Sequence, residues 1–65
     1  MQMTLQVGNS YKIGLEINNA ILTFTCRITE IDDPLFTFID KFGEKYTYNK
    51  RLIISIKDCE DFNGN

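Results

Sequence analysis

Residues 17–34 read INNAILTFTCRITEIDDP, and the choice between two readings of this stretch fixes the fold. Ile17, Ile21, Phe24, Ile28 and Ile31 are spaced by four, three, four and three residues, which is the stripe of an amphipathic helix. Leu22, Phe24, Cys26 and Ile28 alternate with period two, which is the pattern of a half-buried strand. Thr23, Thr25 and Thr29 stand between them, and β-branched residues lose side-chain freedom in a helix while packing well on a pleated surface. The strand reading is the stronger. Composition agrees with it: 24 of 65 residues are Ile, Thr, Val, Phe or Tyr, and Ala20 is the only alanine.

Upstream, Val7-Gly8-Asn9-Ser10 is a turn, and Tyr11, Ile13, Leu15 and Ile17 alternate with Lys12, Gly14 and Glu16. This predicts a first strand over Tyr11–Ile17 with one apolar and one wet face. Asn18-Asn19 tolerates positive φ and suits a tight hairpin into a long second strand, Ala20–Ile31, whose length implies a bend near Thr25 or Cys26. Asp32-Asp33-Pro34 ends that strand, because Pro34 has no N–H to offer and Asp favours turns. A third strand over Leu35–Asp40 leads through Asp40-Lys41-Phe42-Gly43, a type I turn with a left-handed glycine, into a fourth over Glu44–Lys50. One 3₁₀ turn at Lys50-Arg51-Leu52 then precedes a fifth strand, Ile53–Lys57.

Five short antiparallel strands without a substantial helix predict an all-β, SH3-like small barrel. Closure would hide the edges of so small a sheet, and no helix falls between strands three and four as an OB fold would need. The length allows one domain, 1–65, with a core over about 5–58 and a mobile, acidic tail at 59–65. The formal net charge is −2, which disfavours non-specific binding to duplex DNA. No apolar run approaches the roughly 20 residues of a membrane span, and Met1-Gln2-Met3-Thr4 is not the start of a secretory leader, so a cytoplasmic protein is expected.

Chemistry is sparse. The chain has no His, so neither Ser10, Ser55, Cys26 nor Cys59 has an imidazole to activate it, and a non-enzymatic protein is expected. Cys26 and Cys59 lack redox or zinc spacing and read as reduced thiols. Glu30, Asp32 and Asp33 read as a turn before Pro34, and neither a metal nor a cofactor is expected. Lys41, Lys45, Lys50 and Arg51 fall within eleven positions beside Phe42, Tyr46 and Tyr48. Cations interleaved with aromatics can track a phosphate backbone and stack bases. Alternatively, Tyr46 and Tyr48 share a strand face and line the core while the lysines are solvated. Clustering of the four cations on one patch favours nucleic acid, and scattering favours a protein partner.

From Ala20 to Lys57 the order of features resembles the Sm-like family, which includes Sm, Lsm and Hfq proteins. Cys26-Arg27-Ile28-Thr29-Glu30-Ile31-Asp32-Asp33 looks like the end of the first Sm motif. Tyr48-Asn49-Lys50-Arg51-Leu52-Ile53-Ile54-Ser55-Ile56 is similar to the second, a polar turn followed by an apolar last strand. Of the Tyr-Lys-His signature of Hfq, Tyr48 matches, with Asn49 and Lys50 at the other two places. The resemblance implies single-stranded RNA as ligand, with Lys41, Lys45, Tyr48, Asn49, Lys50 and Arg51 as the nucleic-acid-binding residues. It also implies self-association, as a dimer or a ring in which the fourth strand of one subunit pairs with the fifth of its neighbour. Phe36, Phe38 and Phe42 on one parity, with Leu35, Thr37 and Ile39 on the other, give the third strand two apolar faces to cover. The alternative is a protein-interaction or inhibitor module of the kind a small phage or mobile element encodes.

Overall fold

The computed structural model describes residues 5–59. Its elements are β1 (Ser10–Ile17), β2 (Ala20–Asp32), β3 (Leu35–Asp40), β4 (Lys45–Asn49), a 3₁₀ turn at Lys50–Leu52, and β5 (Ile53–Asp58). All five strands are antiparallel to their neighbours in one sheet of order β4-β3-β2-β1-β5. The protein is all-β, and Ala20–Asp32, the part of the quoted stretch with two readings, is one continuous strand.

Each turn rests on the residues that predicted it. Asn18 and Asn19 both take positive φ, 52° and 65°, which gives a two-residue hairpin the twist of its strands. Gly43 has φ +84°, the left-handed position of the β3–β4 turn. Asn49 caps the 3₁₀ turn by accepting from the Arg51 N–H at 2.9 Å, and Lys50 N donates to Pro34 O at 2.8 Å.

The bend in β2 lies at Thr29, not at Thr25 or Cys26. Ile28 pairs with Phe38 and Glu30 with Thr37, so Thr29 is the extra residue of a bulge. Cys26 instead sits regularly in both ladders, opposite Tyr11 and Asp40. The first half of β2 therefore serves β1 and the second half β3. The bulge shifts the side-chain parity, so Ile31 rejoins the face of Ile28 after three residues rather than two.

The expected closed barrel is not formed. Among the described residues no ladder joins β4 to β5, and the two are the open edges of the sheet. Asn49 and Ile53 are only four Cα steps apart, at most about 14 Å, so the sheet curls far enough to bring its edges close. A second bulge lies beside the open seam: Gly14 pairs with Ser55 and Leu15 with Ile53, leaving Ile54 without a partner in the β1–β5 ladder.

Inside the curl lie Leu5, Tyr11, Ile13, Leu15, Cys26, Ile28, Phe36, Phe38 and Ile53. Phe38 is the hub, with ring centroids 5.1 Å from Phe24, 5.6 Å from Phe36 and 5.3 Å from Tyr46. The two-faced third strand is only half as expected. Thr37 is buried, but Leu35 is exposed, and Phe42 leaves the strand altogether to stand 79% exposed in the turn. A mobile tail was expected from residue 59. Cys59 donates its N–H to Ser10 O at 3.1 Å, and residues 60–65 lie outside the described residues.

Candidate functional site

The six residues expected to bind RNA do not form one patch. Lys41 stands in the β3–β4 turn and Lys45 at the start of β4, both exposed. Lys50 and Arg51 stand beyond the other end of that strand, which is about 13 Å away at the rise of an extended chain. Lys50 is engaged, with its Nζ 2.8 Å from Asp33 Oδ1 across the β2–β3 turn. Asn49 spends its side-chain oxygen on the 3₁₀ cap. Tyr48 faces the core, with its ring stacked 6.2 Å from both Phe38 and Tyr46. What stays together is the turn: Phe42 is exposed, Lys41 Nζ lies 5.7 Å from its ring centroid, and Lys45 opens the next strand.

That turn is held by Asp40. Its Oδ1 accepts from the N–H groups of Phe42 at 2.8 Å and Glu44 at 2.9 Å, and its Oδ2 accepts from the Tyr46 hydroxyl at 3.3 Å. Burial pushes the Asp40 carboxyl up, but the backbone bonds from Glu44 and Phe42 and the Tyr46 hydroxyl outweigh it and hold the group below its ordinary value. Burial first, and then the Asp40 charge, push the Tyr46 phenol up. The arrangement keeps a carboxylate and a phenol in fixed protonation states, which suits a structural clamp rather than proton transfer.

The thiols are free. Burial, with the nearby Cys59 and Asp40, pushes Cys26 up to about 12, so it is a small apolar core residue and a poor nucleophile. Among the described residues no three His, Cys, Asp or Glu side chains come together as a metal-binding group, and no helix is long and apolar enough to cross a membrane.

The register reveals a feature that no local stretch of sequence contains. On the outward face of the β5-β1-β2 half, Lys12 lies directly opposite Lys57, and Arg27 lies on β2 opposite Ser10, diagonal to Lys12. All three are exposed. Neither Lys12 nor Lys57 has an ion-pair partner among the described residues, and like charges placed directly across strands are destabilising. Toward the hairpin tip the same half exposes apolar groups: Ile21 is 65% and Ile54 48% exposed. Gly14 lies between them on β1, where a Cβ would come within 2.6 Å of Ser55 Oγ. Arg51 faces an open concavity there of about 490 Å³, with Glu16, Asn18, Asn19, Leu52 and Ile54. Each of these strand residues holds an outward position in its own strand, and the β1–β2 and β1–β5 pairings bring them together, the latter joining Lys12 to Lys57, 45 residues away in sequence.

Comparison of the chain with family models, with curated proteins and with solved structures finds no match.

Proposed function

We propose that this chain is a cytoplasmic, non-enzymatic protein-interaction module that recruits an extended segment of its partner to an open edge of its sheet. The observation that supports this reading is the pair of unpaired edges, β4 and β5, beside exposed apolar side chains. An edge strand carries backbone donors and acceptors that a partner strand can complete, while side chains on alternate positions supply specificity. The scattering of Lys41, Lys45, Lys50 and Arg51 points the same way, since a phosphate backbone needs its cations in one track. Two free thiols suit a reducing compartment.

Selection of extended peptides on the full chain, followed by amide chemical-shift mapping, tests it. Perturbations along β4 or β5 are the expected result, and binders that map only to the β3–β4 turn or the hairpin tip would overturn it. Self-association through the same edges, as a dimer or a ring, is read by light scattering at tens of micromolar. A mass above that of one chain, lowered by Ile54→Lys or Thr47→Pro, is the outcome that supports a second copy as partner.

A second reading, binding of single-stranded RNA, draws support from the β3–β4 turn, where an exposed ring is flanked by two cations. Base stacking on one aromatic residue is worth about 1–3 kcal/mol. Salt-sensitive binding of uridine-rich RNA that is lost in Lys41→Glu, Lys45→Glu and retained in Lys50→Glu, Arg51→Glu would favour this reading over the first.

A further inference from the structure

We infer that the β5 edge takes an acidic segment: an extended stretch of a partner protein, paired to β5, with a carboxylate beside Lys57 and an apolar side chain beside Ile54. This rests on the edge-pairing reading above and names the chemistry of the partner.

The Lys12–Lys57 pair is the starting point. Two ammonium groups on directly opposed residues repel, and among the described residues neither is neutralised. Glu16, the outward carboxylate of β1, is four residues farther along the strand, roughly 13 Å away. β5 is the last strand of the sheet, so a strand added to it places its own outward side chains beside Lys57. An Asp or Glu there would sit against a site of concentrated positive charge.

Ile54 supplies the second contact. It is the bulged residue of β5, 48% exposed, with Cγ1 3.5 Å from where a Gly14 Cβ would stand. The Ser55 hydroxyl and the Ile54 side chain fill the space over Gly14, and an apolar side chain from an added strand can pack against the part of Ile54 left exposed. Two positions of the segment are thus specified, acidic toward the Lys57 end and apolar toward the Ile54 end.

Two other occupants fit less well. A second copy would offer β4, whose outward residues are Lys45, Thr47 and Asn49. In the antiparallel register that overlaps all of β4 with β5 and keeps the outward faces together, Lys45 falls opposite Lys57 and adds a third like charge. A nucleic acid would find phosphate partners but, among the described residues, no aromatic ring to stack on at this edge. Tyr11, Phe24, Phe36, Phe38, Tyr46 and Tyr48 all pack into or against the core, and Phe42 stands in the turn beside β4, at the other edge of the sheet.

The test is fluorescence anisotropy with the full chain and a short labelled extended peptide of Val and Glu, with Glu at the outward position facing Lys57 and Val at the outward position facing Ile54. Controls are a Val and Lys peptide, the Val and Glu peptide with alternate backbone nitrogens methylated, and a uridine-rich RNA oligomer. Binding of the Val and Glu peptide is expected, weakened about tenfold or more by Lys57→Glu and abolished by N-methylation. The Lys12→Glu, Lys57→Glu protein is expected to bind the Val and Lys peptide instead, which also shows that this variant is folded. No binding of the acidic peptide overturns the inference. So does RNA that binds this face and displaces the peptide. A peptide sensitive to N-methylation but indifferent to Lys57→Glu overturns the acidic preference and leaves the edge reading standing. A peptide sensitive to the charge reversal but indifferent to N-methylation overturns strand pairing, and the edge reading falls with it.

Discussion

The β3–β4 hairpin and the β5 edge are both two-strand margins of one sheet, yet they treat their polar groups in opposite ways. At the β3–β4 margin the two buried polar side chains are answered: Asp40 takes two backbone N–H groups and a phenol, and Thr37 Oγ1 meets Thr47 Oγ1 at 2.8 Å. Beneath them the rings of Phe36, Phe38, Tyr46 and Tyr48 stack in sequence. At the β5 margin two lysines face each other with no ion-pair partner among the described residues, and an isoleucine bulges outward over a glycine. One margin is finished within the chain. The other leaves interactions unsatisfied among the described residues, and on the proposed reading that is where a partner is met.

The largest effect that can break this comparison is at the aromatic hub. Phe38→Ala removes a fully buried ring in contact with four others, and such truncations cost about 3–5 kcal/mol. For a domain of this size that is most of the available stability, so the expected outcome is loss of the cooperative urea transition. Ile54→Ser at the other margin should keep the cooperative urea transition and lower the unfolding free energy by no more than about 0.5 kcal/mol. Equal losses at the two sites would mean that β5 is as much a part of the core as β3.

Next in size is Asp40. Because its folded carboxyl titrates below the ordinary value, its contribution is fully present above the unfolded carboxyl's pKa. It is lost as pH falls through the lowered folded value. Asp40→Asn should therefore lower the thermal midpoint at neutral pH, with the deficit against the original chain shrinking in acid. A deficit that is constant with pH would assign the clamp to shape rather than charge. A smaller loss, about 0.5–1.5 kcal/mol, is expected for Thr37→Val, which removes one hydroxyl–hydroxyl bond and leaves an exposed Thr47 free to bond water.

How much of this was legible follows from how far apart the deciding residues are. Leu35–Asp40 and the 3₁₀ turn at Lys50–Leu52 are as expected, and the other strands differ by a residue at their ends, because turn chemistry and alternation are local signals. The bulge at Thr29 was visible in part. The spacing of three from Ile28 to Ile31, which counts toward a helical stripe, is what one extra residue does to an alternating strand, and Ile21 in that same stripe turns outward at 65% exposure. The open seam was not legible, since closure depends on the geometry of edges 4 to 13 residues apart along a curled sheet. The expected cations do not share one patch for a plain reason. Proximity in sequence along an extended strand is distance in space, so Lys41 and Lys50 separate, whereas Lys12 and Lys57 meet because β1 and β5 pair.

The smallest effect sharpens the comparison most, because its sign is unusual. Lys12→Glu replaces a repulsive cross-strand pair with an attractive one at an exposed position, and directly opposed pairs on a sheet contribute about 0.2–1 kcal/mol. The expected result is therefore a rise in the thermal midpoint, where most substitutions lower it. The rise should shrink as salt screens the pair. If Lys12→Glu stabilises the chain, then this sequence carries a lysine that folding would be better without, and the β5 margin is set by what it meets rather than by what holds it up. If the substitution is neutral at low salt, the two ammonium groups already avoid one another in the folded state. The cationic face then has nothing left to be answered, and the two margins of the sheet differ only in packing.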